Sequence, residues 1–193
     1  MPISRIPGVG LETTGTASVN TFLRGDNAWS GTITSGTAVA STSGTSIDFT
    51  GIPATAKRIT VMFSGVSWNN TATPLIQLGD SGGVETTGYT SIGGFTASAG
   101  GSAGAGTEST GFGIGSGWTA DTAFSGSFIF SLLNASSNTW VEQGVLYADT
   151  ATTDYAVTSS GVKSLSATLD RVRITSTAAV TFDAGTINIM WEG

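Results

Sequence analysis

The sequence predicts an all-β protein, an antiparallel jelly-roll-like β-sandwich preceded by an extended N-terminal arm. Three observations carry that prediction. Charged residues make up only 10% of the 193 positions, too few for the solvent faces of helices, which favour Glu, Lys, Gln and Arg. Glycine fills 28 positions, and Ser, Thr and Ala fill most of the remainder, a composition suited to pleated surfaces and tight turns. Short apolar or alternating runs recur from Ile33 onward, bounded by Gly, Ser, Asn and Pro. With 39% hydrophobic residues, five Trp and nine Phe, the chain can build a core that a Gly- and Ser-rich disordered segment cannot.

Residues 1–32 read as the arm. Pro2, Pro7, Gly8, Gly10 and Gly15 punctuate a segment with no sustained period of 2 or 3.6. Residues 33–193 read as the sandwich. Within 58–64, Ile59, Val61 and Phe63 alternate with other neighbours, and residues 75–78 follow Pro74. The longest apolar stretch is 124–133, and further runs lie at 140–147, 157–165 and 169–175 before the ending Ile187, Ile189 and Trp191. About eight to ten strands result. Antiparallel strands in that number hide their edges by stacking as two sheets, with closure into an up-and-down barrel the second choice. Phe128, Phe130 and Leu132 fall on one face of their strand and Ile129 and Leu133 on the other, which places it centrally or at a subunit interface. Residues 97–117 carry Gly111, Gly113, Gly115 and Gly117 in alternation; a mobile loop is the expectation, ahead of a strand with one bare face.

Charge and composition exclude several functions. The net charge is −6, and the seven Lys and Arg are scattered apart from Lys57, Arg58 and the pair Arg171 and Arg173, so no basic face exists to release counterions from nucleic acid. The chain has no Cys and no His, which removes disulfides, thiolate and imidazole metal ligands and the histidine-based triads. No cofactor is expected. No run of signal-peptide length opens the chain and none approaches ~20 apolar residues, so export and membrane insertion are disfavoured. Two sequence pairs of carboxylates, Asp80 with Glu85 and Asp149 with Asp154, have the residue type for glycoside hydrolysis, but each lies among Gly, Ser or Thr where Asp caps turns. They read as structural, and no catalytic residue is assigned. Arg24, Gly25 and Asp26 read as a turn, and the glycines at 111–117 lack the strand-to-helix setting of a dinucleotide site.

The stretch T-F-L-R-G-D-N-A-W-S at residues 21–30 resembles a segment that recurs in tail-fibre proteins of bacteriophages, usually just before a distal domain. The likeness extends to D-F-T-G-I-P at 48–53, K-R-I-T-V-M-F-S-G-V-S at 57–67, L-I-Q-L-G-D at 75–80 and the ending G-T-I-N-I-M-W-E at 185–192. It covers most of the chain except the Gly-rich middle. The resemblance implies a homotrimer without cofactors, displayed on a virion that is assembled in the bacterial cytoplasm. One departure is the arm, because the family's fibres carry a long shaft before this segment and only about twenty residues precede it here. Ile3, Ile6, Val9 and Leu11 are accordingly expected to grip another virion protein, and Phe22, Leu23 and Trp29 to make trimer contacts. The expected function is a fibre knob touching the host cell; the alternative is a capsid decoration protein that stabilises the head. Trp68, Tyr89, Trp118 and Tyr155, aromatics in turn-rich stretches, are the candidate contacts to a host glycan or receptor, against a competing reading in which they are buried.

Overall fold

The computed structural model describes residues 33–100 and 103–193, together with the backbone of residues 21–23 and 29–31. The chain divides into two compact units, Met1–Thr34 and Ser35–Gly193. Within the first, β1 (Thr21–Leu23) and β2 (Trp29–Gly31) pair antiparallel, with Leu23 opposite Trp29.

Fourteen further strands follow. They are β3 (Thr34–Ser35), β4 (Val39–Ala40), β5 (Ile47–Thr50), β6 (Arg58–Trp68), β7 (Pro74–Asp80), β8 (Gly83–Val84), β9 (Tyr89–Ala97), β10 (Ala103–Glu108), β11 (Phe112–Gly113), β12 (Ala123–Asn134), β13 (Thr139–Asp149), β14 (Tyr155–Ser164), β15 (Leu169–Ser176) and β16 (Phe182–Glu192). There is no helix among the described residues. The protein is all-β, and its two antiparallel sheets form a sandwich. The large sheet has nine strands, ordered β10-β9-β14-β13-β12-β6-β16-β3 with β4 also on β16. The small sheet has five, ordered β11-β7-β15-β5 with β8 also on β7.

Local sequence accounts for the large sheet's central meander. β12 turns into β13 at residues 135–138, where the Asn134 side-chain oxygen accepts the Ser136 backbone N–H at 2.9 Å and Asn138 takes a φ of 48°, a left-handed conformation that Asn tolerates. β13 turns into β14 through Thr150, whose hydroxyl accepts the Thr153 N–H at 3.1 Å. Alternation then sends one side-chain set inward from each strand: Phe124, Phe128 and Phe130 from β12, Trp140 and Leu146 from β13, and Val157 from β14. With Ile59, Val61 and Phe63 from β6 and Ile187 and Ile189 from β16, these meet Ile76, Leu78, Val172 and Ile174 of the small sheet in one hydrophobic core. As expected from its two apolar faces, β12 is central, flanked by β13 and β6.

The expectation of a loop over 97–117 is overturned in part. Ala103–Glu108 pairs with β9 along the sheet edge, and Phe112–Gly113 pairs with β7. The physical reason is the bare face that glycine provides. A Cβ on Gly93 would fall 2.4 Å from the Gly113 carbonyl oxygen, so the two sheets approach backbone to backbone where β9 crosses β11. The Gly113 N–H donates to the Ser91 hydroxyl across that junction at 3.1 Å. No side chain fills the gap, and hydrophobic patterning has nothing to register there.

Gly144 does the same for a ring. It faces Phe128 on the neighbouring strand, and a Cβ there would lie 1.9 Å from the Phe128 ring. Phe128 is fully buried edge-on to Phe63, with centroids 5.9 Å apart. Gly144→Ala is expected to cost about 2 kcal/mol by overpacking, lowering Tm by roughly 4–8 °C in a domain of this size. Combining it with Phe128→Leu should restore part of the loss, giving a coupling measurable by thermal unfolding; strictly additive losses would contradict this contact.

Candidate functional site

A cleft of about 410 Å³ opens beside the β13–β14 turn, within the size range of small-ligand sites. Its floor is aromatic. Phe95 on β9 and Tyr155 on β14 point to the same side of two paired strands and meet edge to face, centroids 5.4 Å apart. Trp118, from the segment after β11, lies 5.1 Å from Phe95 and 5.4 Å from Tyr155. Its position is fixed twice. The indole Nε1 donates to the Ile114 carbonyl at 2.6 Å, and the Trp118 backbone exchanges hydrogen bonds with Ala72 at 3.0 and 3.1 Å. Gly115 makes that placement possible, since its φ of 64° and a Cβ 2.6 Å from the indole nitrogen would both exclude a side chain.

The rim is hydroxyl-rich: Ser116, Thr119, Thr122, Thr150 and Thr152, with Asp121 as the one carboxylate among the lining residues. The Thr119 hydroxyl donates to Asp121, and that hydrogen bond holds the carboxyl below its ordinary range. Aromatic faces ringed by hydroxyls suit a neutral sugar, whose C–H face stacks on rings while its hydroxyls exchange hydrogen bonds at the edge. Glycoside hydrolysis needs two carboxyls roughly 5–10 Å apart, and this lining supplies one.

Of the four candidate contacts, Trp68, Tyr89 and Trp118 are buried, as in the competing reading. Trp68 ends β6 facing inward, 4.8 Å from Phe182 and 6.0 Å from Phe124. Tyr89 begins β9 facing inward; its hydroxyl accepts the Leu78 N–H at 2.8 Å and lies 2.9 Å from the Glu85 carbonyl as donor. Trp118 is buried as the back wall of the cleft, and Tyr155, half-buried, keeps an edge in it. Turn-rich neighbours mark where a strand begins and say nothing of which face its first residue takes. Phe95, Asp121, Thr150 and Thr152 escaped the sequence reading. For Phe95 a signal exists: it shares parity with Tyr89, Ser91 and Gly93 along one strand, though Gly93 and Gly94 interrupt the apolar pattern. Ile3, Ile6, Val9 and Leu11 lie outside the described residues. The backbones of Phe22, Leu23 and Trp29 lie in β1 and β2, and their side chains are outside the description.

The carboxylate pairs serve structure. Asp80 accepts the Gly82 N–H at 2.7 Å, closing the turn into β8, and the Ser166 hydroxyl at 2.7 Å. Glu85 accepts the Ser166 N–H at 2.7 Å and pairs with the buried Lys163 at 2.5 Å. The Ser166 hydrogen bond chiefly holds Asp80 below its ordinary value. For Glu85, burial pushes the pKa up, and the Lys163 and Ser166 hydrogen bonds outweigh it and bring the value down. Asp154 accepts the Tyr147 hydroxyl at 2.8 Å. Among the described residues no group of three or more acidic side chains is placed to hold a metal ion.

One carboxyl behaves differently. Glu142 points inward from β13 between Phe130 and Gly161, and is 4% exposed. Its Oε2 accepts the Ser159 hydroxyl at 3.2 Å, while Oε1 has no partner among the described residues. Burial pushes its pKa from 4.5 up to about 7, against the Ser159 hydrogen bond. Comparison of the chain with protein families, curated proteins and solved structures finds no match.

The Glu142 shift has a definite sign. Its folded value lies above the unfolded one, so the stability that neutral Glu142 supports is present in full below about pH 4.5 and is lost as pH rises through about 7. Glu142→Gln keeps a neutral partner for Ser159 at every pH. Urea unfolding should find this variant more stable than the parent by on the order of 2–3 kcal/mol at pH 8 and nearly equal to it at pH 4. Equal stabilities at both pH values would refute the assignment.

Proposed function

We propose that the protein is a structural, non-enzymatic component of a bacteriophage particle: a trimeric fibre knob displayed on the virion that contacts the host cell surface. The observation that carries this reading is an order along the chain. The fibre-like segment T-F-L-R-G-D-N-A-W-S at 21–30 is followed at once by an all-β sandwich, as it is before the distal domains of phage fibres. The lining of the open cleft holds one carboxylate, Asp121, and Asp80 and Glu85 are engaged with Ser166 and Lys163.

In this reading the cleft of Phe95, Trp118 and Tyr155 takes a neutral sugar of the host surface. The arm joins the knob to another virion protein through Ile3, Ile6, Val9 and Leu11, with Phe22, Leu23 and Trp29 at the trimer contact. At ~25 cal/mol per Å² of apolar surface, a few such side chains give several kcal/mol per arm, and three arms act together.

Two measurements test it. Deleting residues 2–11 should leave a soluble, strand-rich protein that no longer joins particles; incorporation at normal copy number places the anchor elsewhere. The same count on intact particles separates a fibre, at a few tens of copies or fewer, from a decoration protein at hundreds. For the cleft, Thr152→Trp puts a bulky ring at an exposed rim position. It should weaken binding to host cells at least tenfold with little change in Tm, and unchanged binding removes the cleft from the contact.

A further inference from the structure

We infer that the outer face of the large sheet, centred on Val145 and Tyr147, is an interface between copies of this chain. The register places outward residues in rows across six strands. One row runs Ile92, Ser160, Gln143, Ile129, Thr60, Met190; the next runs Gly94, Thr158, Val145, Ser127, Met62, Asn188. A third begins Thr96, Ala156, Tyr147, Ser125. None of these positions is charged. Charge stands toward the margins, in the Arg58–Glu192 pair at one corner, in Asp149 and Asp154 beyond Tyr147, and in Asp183 near the start of β16, which accepts the Ser67 hydroxyl.

Large apolar side chains stand out of this face. Val145 is 62% exposed, Tyr147 48% and Ile92 48%. Around Val145 the neighbours are small, and two hollows flank it: one of about 670 Å³ lined by Ser125, Gly126, Tyr147 and Ala156 among others, and one of about 300 Å³ lined by Ser127, Ile129 and Gln143 among others. Val145 lines both. A ridge between two shallow apolar hollows is a self-complementary shape, in which the ridge of one copy seats in a hollow of the next.

The occupant follows from charge and size. The chain carries 13 acidic and 7 basic residues, so two copies repel each other wherever carboxylates face. On this face they do not, and a strongly charged partner gains nothing from it. Six strands ~4.8 Å apart and rows ~6.8 Å apart give an area of several hundred Å², approaching the ~800 Å² per partner of a standard interface. The inference adds a second contact to the one proposed at Phe22, Leu23 and Trp29 and does not depend on a virion: a chain that associates through this face and is absent from particles loses the functional reading and keeps this one.

The test is the mass of the full chain in solution by light scattering at micromolar concentration. The parent should give a multiple of 19.4 kDa. Val145→Lys, which forces an unpaired ammonium into the interface, should weaken association at least 100-fold and give the monomer mass. Ile92→Lys, on a strand at the far side of the same face, should do likewise and guards against misfolding of the first variant. Ser43→Lys adds the same charge at an exposed loop position and should stay assembled. A monomeric parent overturns the inference, and leaves the face to a glycan or another protein. So does a parent oligomer that survives both face variants while their circular dichroism stays native, since the contact then lies elsewhere.

Discussion

The sandwich depends on a constraint inside its core: two of the buried rings take space that a neighbouring glycine leaves open for want of a Cβ. Phe128 occupies the space over Gly144, and Phe112 lies against Gly161, where a Cβ would come within 2.8 Å of its ring. The rings touch in sequence, Phe112 to Phe130 at 5.4 Å and Phe112 to Tyr89 at 5.1 Å, in the edge-to-face geometry that aromatic quadrupoles favour. Where rings give out, at the β9–β11 crossing, Gly93 lets backbone meet backbone. The glycine content is therefore a packing device at these positions as well as a source of turns, and a helix built from the same residues would forfeit both uses.

A chain with so few charges spends them on ties. Arg173 and Asp48 form two hydrogen bonds of 2.6 Å across β15 and β5, at the edge of the small sheet. This pair is partly exposed, and its worth is correspondingly modest. Lys163 is another matter. It is 5% exposed, held by Glu85 and the Thr87 carbonyl at 2.9 Å, with the Tyr89 ring 5.2 Å away, so removing Glu85 would strand a buried cation. With the acids of 80–85 occupied in this way, the cleft keeps a lining of hydroxyls and aromatic rings with Asp121 as its carboxylate.

How much was legible in the sequence follows from what period 2 can report. β6 and β16 alternate apolar with other side chains, and Ile59, Val61, Phe63, Ile187 and Ile189 point inward. β10 and β11 were read as loop because Ala, Gly and Ser leave no amphipathic trace, although they pair through backbone alone. The two-faced pattern of β12 left a central position or a subunit interface open, and the strand is central, between β13 and β6. The aromatics at strand ends were open to two readings for a related reason. Trp68 and Tyr89 stand at strand ends, where a turn next door imitates exposure, while the inward parity of the rest of the strand decides their fate. Glu142 was invisible, since nothing in W-V-E-Q-G-V signals that the acid, and not the following Gln143, takes the inward side until the register with Phe130 is known.

The cleft and the uncharged face are neighbours, and their adjacency constrains any assembly. Tyr155 lines the cleft on the inner side of β14 and also borders the larger hollow of the outer face, and Asp154 beside it accepts the Tyr147 hydroxyl. The β13–β14 turn thus forms a shared wall. If copies meet through Val145, each cleft sits at the rim of the contact and opens beside its counterparts. The sugar contact proposed for the cleft would then gain from number, because a further cleft engages at the high local concentration fixed by the first. Asp149 and Asp154 stand at the margin of this face, whereas the same carboxylates one row inward, at Val145 or Ser127, would set like charges against each other in the contact.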